Sequence, residues 1–151
     1  MRIKKISFSS YFLGILLLTI FACSGKSNQK QIPIDSLLNR LNKTPDSLVS
    51  IVSIDRIDRF YHIKKGELIS DSISIRNVNN NDAVIEQINS SCECTAVDFK
   101  NKSVIKSMDS LAIKFHLKSD GLNYGFNHRT INLLGNFYPF YKNVHITIFV
   151  E

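Results

Sequence analysis

The spacing of apolar residues changes character three times along the chain. Tyr11 to Ala22 is an unbroken apolar or small run. After a polar stretch, Ile34, Leu37, Leu38 and Leu41 recur at the spacing of one helix face, with Asp35 near the start. Thr44-Pro45-Asp46 then reads as an N-cap, a proline at the first helical position and an acid in the first turn. Leu48, Ile51 and Val52 continue at helical spacing, so the pattern predicts a second short helix. From about Ile57 the period becomes two.

Leu111, Ile113, Phe115 and Leu117 alternate with Ala112, Lys114 and His116, the pattern of a half-buried strand. Val144, Ile146, Ile148 and Val150 alternate as strictly. Ile57 to Ile63, Ile73 with Ile75, and Ile131 with Leu133 mark further strands. The cluster Asn77-Val78-Asn79-Asn80-Asn81-Asp82 and the Ser119-Asp120-Gly121 triplet read as turns. Ile85 and Ile88 stand three apart, which predicts a bulge. Six or seven short strands in about 95 residues is the size of an all-β, immunoglobulin-like antiparallel sandwich, here preceded by two short helices; a small barrel is the alternative.

The apolar run at the start is shorter than the roughly twenty residues a bilayer span needs, and has the length of a signal-peptide core. Arg2, Lys4 and Lys5 precede it. It ends Ile20-Phe21-Ala22-Cys23 and turns polar at Ser24. This junction resembles the bacterial lipobox, which implies cleavage before Cys23 and diacylglycerol on its thiol. Two or three acyl chains, at about 0.8 kcal/mol per buried methylene, hold a protein firmly to a bilayer. The other readings are an ordinary secretory signal with a chance cysteine, or an uncleaved anchor. The expected organisation is a lipoprotein signal over 1–22, a tether and short helical segment over 23–55, and the sandwich over 56–151. By resemblance to sorting rules, Ser24 after the cysteine points to the outer membrane with the protein facing the periplasm; the inner membrane is the alternative.

The formal charge of +6 suggests nucleic acid until it is mapped. Loss of Arg2, Lys4 and Lys5, with no acid in the same segment, takes three from that figure and leaves about +3. The remaining basic residues are scattered among acids, without a basic run interleaved with aromatics, so nucleic acid is not expected as a partner.

Ser91-Cys92-Glu93-Cys94-Thr95, at the end of a strand, resembles the Ser-Cys-Gly-Cys-Thr signature of the bacterial domain of unknown function 1573 family. Asp58 to Ile63 with Gly66-Glu67 resembles that family's first strand and turn, and Ile73 to Asn77 its next strand and closing asparagine. Ile85 and Ile88, then Gly125-Phe126, Ile131-Asn132-Leu133 and Asn136, extend the resemblance over most of the domain. Glu93 replaces the usual glycine, and Lys106-Ser107-Met108 stands where the family has Pro-Gly. The resemblance implies an immunoglobulin-like sandwich, often on exported lipoproteins, with no established activity.

With Cys23 acylated, Cys92 and Cys94 remain as a disulfide or thiol pair, an even number in an oxidising compartment. On an extended strand their α carbons would be roughly 6.7 Å apart. That is the upper edge of the disulfide range of about 4.4–6.8 Å, so a bridge needs a kink in the chain. No helix pattern opens after Cys94 to lower a thiol pKa. As metal ligands the two sulfurs would need a third partner, for which His128 is the candidate; no metal or other cofactor is expected. His62, His116 and His145 read as surface residues on strands. No Gly-x-Ser-x-Gly, His-Glu-x-x-His, phosphate loop or dinucleotide fingerprint occurs. Asp55, Asp58, Asp71, Asp98 and Asp109 occur singly and read as surface carboxylates.

These residues point to a non-enzymatic binding or structural module, attached to the membrane through Cys23, with a protein partner. Strand addition at a sheet edge is one mode. Tyr138-Pro139-Phe140-Tyr141 is too aromatic for an ordinary turn, so Tyr138, Phe140 and Tyr141 are candidate partner contacts or a core plug. The alternative function is thiol-redox or copper handling by Cys92 and Cys94.

Overall fold

A computed structural model describes residues 33–99 and 102–151. The expected signal segment, Cys23 and the polar tether lie outside the described residues. Among those described, no helix is long and apolar enough to cross a membrane.

The first predicted helix is α1 (Ile34–Leu41), with Asp35 in its first turn and Arg40 in its last, both favourable to the helix dipole. Its apolar face buries Leu37 and Leu41 against Leu134, with Phe140 beside them. The second predicted helix is only a 3-10 turn, Asp46–Leu48. Leu48 and Ile51 are exposed, so the helical stripe has nothing to bury it. Ser50 instead donates its N–H to Asn136 O, and Val52 joins a sheet and the core. Tertiary pairing overrides a helical spacing only a few residues long.

Among the described residues nine strands follow: β1 (Val52–Ile54), β2 (Asp58–Ile63), β3 (Leu68–Asn77), β4 (Ala83–Ser90), β5 (Thr95–Val97), β6 (Ser103–Ile105), β7 (Ser110–Lys118), β8 (Gly125–Gly135) and β9 (Tyr141–Val150). They form two sheets, in the orders β1-β3-β7-β5 and β2-β9-β8-β4-β6. The all-β, immunoglobulin-like sandwich expected from the alternation is what forms. The six strands that the alternation marks are β2, β3, β4, β7, β8 and β9. The other three strands have three residues each. The sandwich therefore begins at Val52, inside the segment assigned to tether and helices.

Among the described residues every pairing between strands is antiparallel except β2 with β9; an isolated bridge between Ser50 and Phe137 is also parallel. The chain leaves one sheet after β1, crosses at residues 55–57 and joins the other as β2, so that its first two strands belong to opposite layers. The predicted bulge lies between Ile85 and Gln87. Between the sheets, Ile73, Ile75, Ile85, Phe115, Leu117, Ile131 and Ile148 are fully buried. Strand β8 buries Leu133 and Leu134 in succession because its two faces are covered differently: Leu133 faces the sandwich core and Leu134 lies under α1.

Asn77, at the end of β3, ties three chain segments together. Its Nδ2 donates to Asn81 O at 2.7 Å, Ile105 O at 3.1 Å and Lys106 O at 3.2 Å. Its Oδ1 accepts from Ser50 Oγ at 2.6 Å and from Asn79 N at 3.1 Å. This is why the strand closes on an asparagine: a buried amide must use its donors and acceptor, and here they organise the loops at that end of the sandwich.

Candidate binding edge and cysteine turn

The cysteines lie on the turn between β4 and β5, outside any strand. The turn shortens their Cα separation to 5.2 Å, against the extended-strand expectation, and the sulfurs are bonded. Ser90 Oγ donates to Cys92 O and Thr95 O, Cys94 N–H reaches Cys92 Sγ, and Cys94 packs against the core. Both sulfurs are therefore occupied by each other. His128, on β8, is exposed and its Nδ1 lies 3.2 Å from Thr147 Oγ1 on the neighbouring strand. Among the described residues, no three His, Cys, Asp or Glu side chains are grouped to hold a metal ion.

The aromatic segment before β9 divides between core and surface. Phe137 is fully buried and Phe140 lies against the α1 cluster, whereas Tyr138 projects outward. Tyr141, partly exposed, has its hydroxyl 3.2 Å from Asn132 Oδ1.

Two carboxylates that read as ordinary surface charges instead hold a buried cation. Arg59, on β2, points inward with its side chain 1% exposed. Its Nη1 is 2.6 Å from Asp71 Oδ2 on β3, and its Nη2 is 3.0 Å from Asp55 Oδ1 on the crossing segment. Tyr61 donates its hydroxyl to Asp71 Oδ2 at 2.5 Å, and Ser72 N–H bonds Asp71 Oδ1 at 2.7 Å. The Arg59 guanidinium also lies 5.7 Å from the centroid of the Phe115 ring. The cluster joins the two sheets by charge where β2 departs from β1. Burial alone would raise the Asp71 pKa, but the Tyr61 hydroxyl, the Ser72 N–H and the Arg59 charge outweigh it and hold it below the usual value. Burial, and then donation to Asp71, push the Tyr61 hydroxyl up. Arg59 is held above its ordinary value: burial opposes the charge, and the bond to Tyr61 and both carboxylates overcome it.

A Ser-His-Asp series also runs from β3 across β7 to the residue that follows β5. Ser70 Oγ is 2.9 Å from His116 Nδ1, and His116 Nε2 is 3.6 Å from Asp98 Oδ2. The trio sits on the outer face of an open sheet, with Asp98 61% exposed. Nucleophilic catalysis needs a water-excluded site with donors aimed at the developing oxyanion. We read these residues as a polar cross-strand ladder.

The most distinctive surface is the edge of the five-stranded sheet. Among the described residues β2 pairs only with β9. His145 N–H bonds Ile57 O, and Glu151 N–H bonds Ile63 O. In a parallel ladder that phase assigns the odd-numbered residues of β2 to β9. The N–H and C=O groups of Asp58, Phe60 and His62 consequently point away from the sheet. Their side chains are all exposed on the outer face. There Phe60 and Phe126 are each about two-thirds exposed (63% and 66%). Phe149 stands between β2 and β8, its ring centroid 5.1 Å from that of His62 and 5.0 Å from that of Phe126. A row of unused backbone groups thus borders an aromatic surface. The sequence marked Ile57 to Ile63 as a strand; that it lies at an edge, with Phe60 outward and Arg59 inward, was not legible there.

No curated protein matches the chain. A Porphyromonas gingivalis W83 protein of unknown function superposes with a TM-score of 0.60 at 12% identity, covering 71% of this chain and 50% of that one. The chain therefore spans half the length of that protein. The ASH/PapD-like domain 7 of human CEP192 gives a TM-score of 0.56 at 7% identity, covering 72% of this chain and 91% of the domain. A family 123 glycoside hydrolase from Clostridium perfringens gives 0.57 at 8% identity, covering 68% of this chain and 27% of the enzyme. At such identities the likeness shows a shared immunoglobulin-like or PapD-like fold, which hosts unrelated functions. Residues 54–150, nearly the whole sandwich, match the family described as protein of unknown function (DUF1573), and the chain belongs to that family.

Proposed function

We propose that this protein is a lipid-anchored, non-enzymatic binding module that faces the periplasm and takes up an extended strand at the free edge of β2. The observation that carries this reading is the set of outward N–H and C=O groups on Asp58, Phe60 and His62, beside the exposed Phe60 and Phe126. Backbone groups of that kind supply sequence-tolerant affinity, and the neighbouring aromatics supply selectivity. The Cys92–Cys94 bond serves here as a turn staple, with no catalytic part. Tyr138 is a secondary contact, set apart from Phe137 and Phe140, which pack inward.

A photo-crosslinking phenylalanine analogue in place of Phe60, in cells, is expected to yield a covalent adduct in the envelope. No adduct from that position would count against the edge as the binding surface. The anchor is tested separately by mass spectrometry of the native protein. The expected mass lacks the first 22 residues and carries acyl chains on Cys23, and Cys23→Ser is expected to release the protein from membranes.

A further inference from the structure

We infer that the strand taken up at the β2 edge is β2 of a second copy of this chain, paired antiparallel about Phe60. The inference rests on the edge reading above and gives that edge its partner.

The case is one of register. In an antiparallel pair, residues whose backbone groups point at each other exchange two hydrogen bonds, and such residues recur at every second position. On β2 they are Asp58, Phe60 and His62. Centring the twofold on Phe60 sets Phe60 opposite Phe60 of the other copy, Asp58 opposite His62, and His62 opposite Asp58. No other register pairs all three outward residues with one another. The side chains of the three share the outer face, so each juxtaposition is also a side-chain contact. Two phenyl rings meet at the centre, and on either side the Asp58 carboxylate meets the His62 imidazole, whose Nε2 already lies 3.3 Å from Glu151 Oε2 of its own copy. A carboxylate and an imidazole placed equidistant from a central aromatic make the strand complementary to itself, which is what a closed dimer requires.

The rest of the edge is compatible with this pairing. Arg59 points inward, and inward charges on edge strands often block association. Here it is already neutralised by Asp55 and Asp71, so covering β2 would leave no charge unpaired. Arg56 and Lys64, which would meet beyond the ends of the strand, share a sign; Arg56, however, is held by Asp55 and Asp71. Pairing would merge two five-stranded sheets into one and bring Phe60, Phe126 and Phe149 of both copies onto a continuous aromatic face.

The full-length chain, solubilised in detergent, is expected to show a monomer–dimer equilibrium in analytical ultracentrifugation. Asp58→Lys and His62→Asp each replace two matched cross-strand contacts with mismatched ones and should each weaken the dimer on the order of tenfold. Mixing the two variants restores both matches. The introduced lysine of one copy then faces the introduced aspartate of the other, and the unaltered His62 and Asp58 face each other. The mixture should therefore regain native dimerisation. Unchanged circular dichroism spectra would show that neither variant is misfolded. A native chain that stays monomeric, or variants that dimerise as tightly as the native chain, would overturn the inference, as would a mixture no tighter than its components. The Phe60 crosslink separates this inference from the reading beneath it. An adduct of twice the chain mass supports the second copy. An adduct only with a different protein overturns the second copy and leaves the edge reading standing, and no adduct overturns both.

Discussion

Arg59 shows how much a single residue can decide in this fold. It is a charge buried within a two-layer sandwich, tolerable because Asp55 and Asp71 accept its N–H groups and Tyr61 completes the coordination of Asp71. Removing a partner would leave the cation partly uncompensated. We expect Asp71→Asn to cost about 2–4 kcal/mol in urea unfolding, and Tyr61→Phe about 1 kcal/mol. The pH dependence follows from the directions of the shifts. Asp71 has a lowered pKa in the folded protein, so its contribution is complete above the ordinary aspartate value near 3.9 and is lost as pH falls through the folded value. Tyr61 has a raised pKa, so its contribution is complete below about 10 and is lost as pH rises through the folded value. Unfolding curves measured across pH should show Tyr61→Phe flattening the alkaline decline while the acid decline persists. Gly135 is a second residue of this kind. A β carbon there would overlap Val84 O and the Phe137 ring. Gly135→Ala should therefore lower the melting temperature, by several degrees for a domain of this size.

At the scale of elements, the long alternating runs were legible in the sequence and the short pieces were not. Strands β3, β7 and β9 have nine or ten residues, enough to display a period of two. Strands β1, β5 and β6 have three, too few to show any period, and exist because a neighbouring strand offers them partners. The false second helix has the same cause, since Leu48, Ile51 and Val52 fit a helical spacing by number alone. The cysteine turn was partly legible. Sequence spacing required a kink before the sulfurs could meet, and the turn after Ser90 supplies it. Because the bridge closes so small a ring of chain, the loop-entropy estimate gives it only about 1–2 kcal/mol. Cys92→Ser/Cys94→Ser should stay folded with about that loss in urea unfolding. A loss several times larger would mean the turn organises far more of the sheet than its contacts suggest.

At the scale of the molecule, the sandwich could be inferred, but the arrangement of its edges could not. Nothing in the order of apolar residues says that β1 and β2 belong to different sheets, or that β2 runs parallel to β9. Those facts depend on contacts between residues far apart in sequence, such as Arg59 with Asp71 and Asn77 with Ser50. The candidate surface lies in that hidden part: Phe60 and Phe126 are more than sixty residues apart and share a face only after folding.

Helix α1 has a mechanical consequence. It rests on the sheet through a small satellite cluster of Leu37, Leu41 and Leu134, separate from the main core. A chain tugged from its N-terminal side would peel this helix and the 3-10 turn away before any strand bore load. The roughly 15 residues so released, up to the buried Ser50, would add about 50 Å of reach at constant sandwich structure. Optical-trap extension from that end should then record a weak early lengthening followed by a much stronger rupture; a single event at high force would show that helix and sandwich yield together.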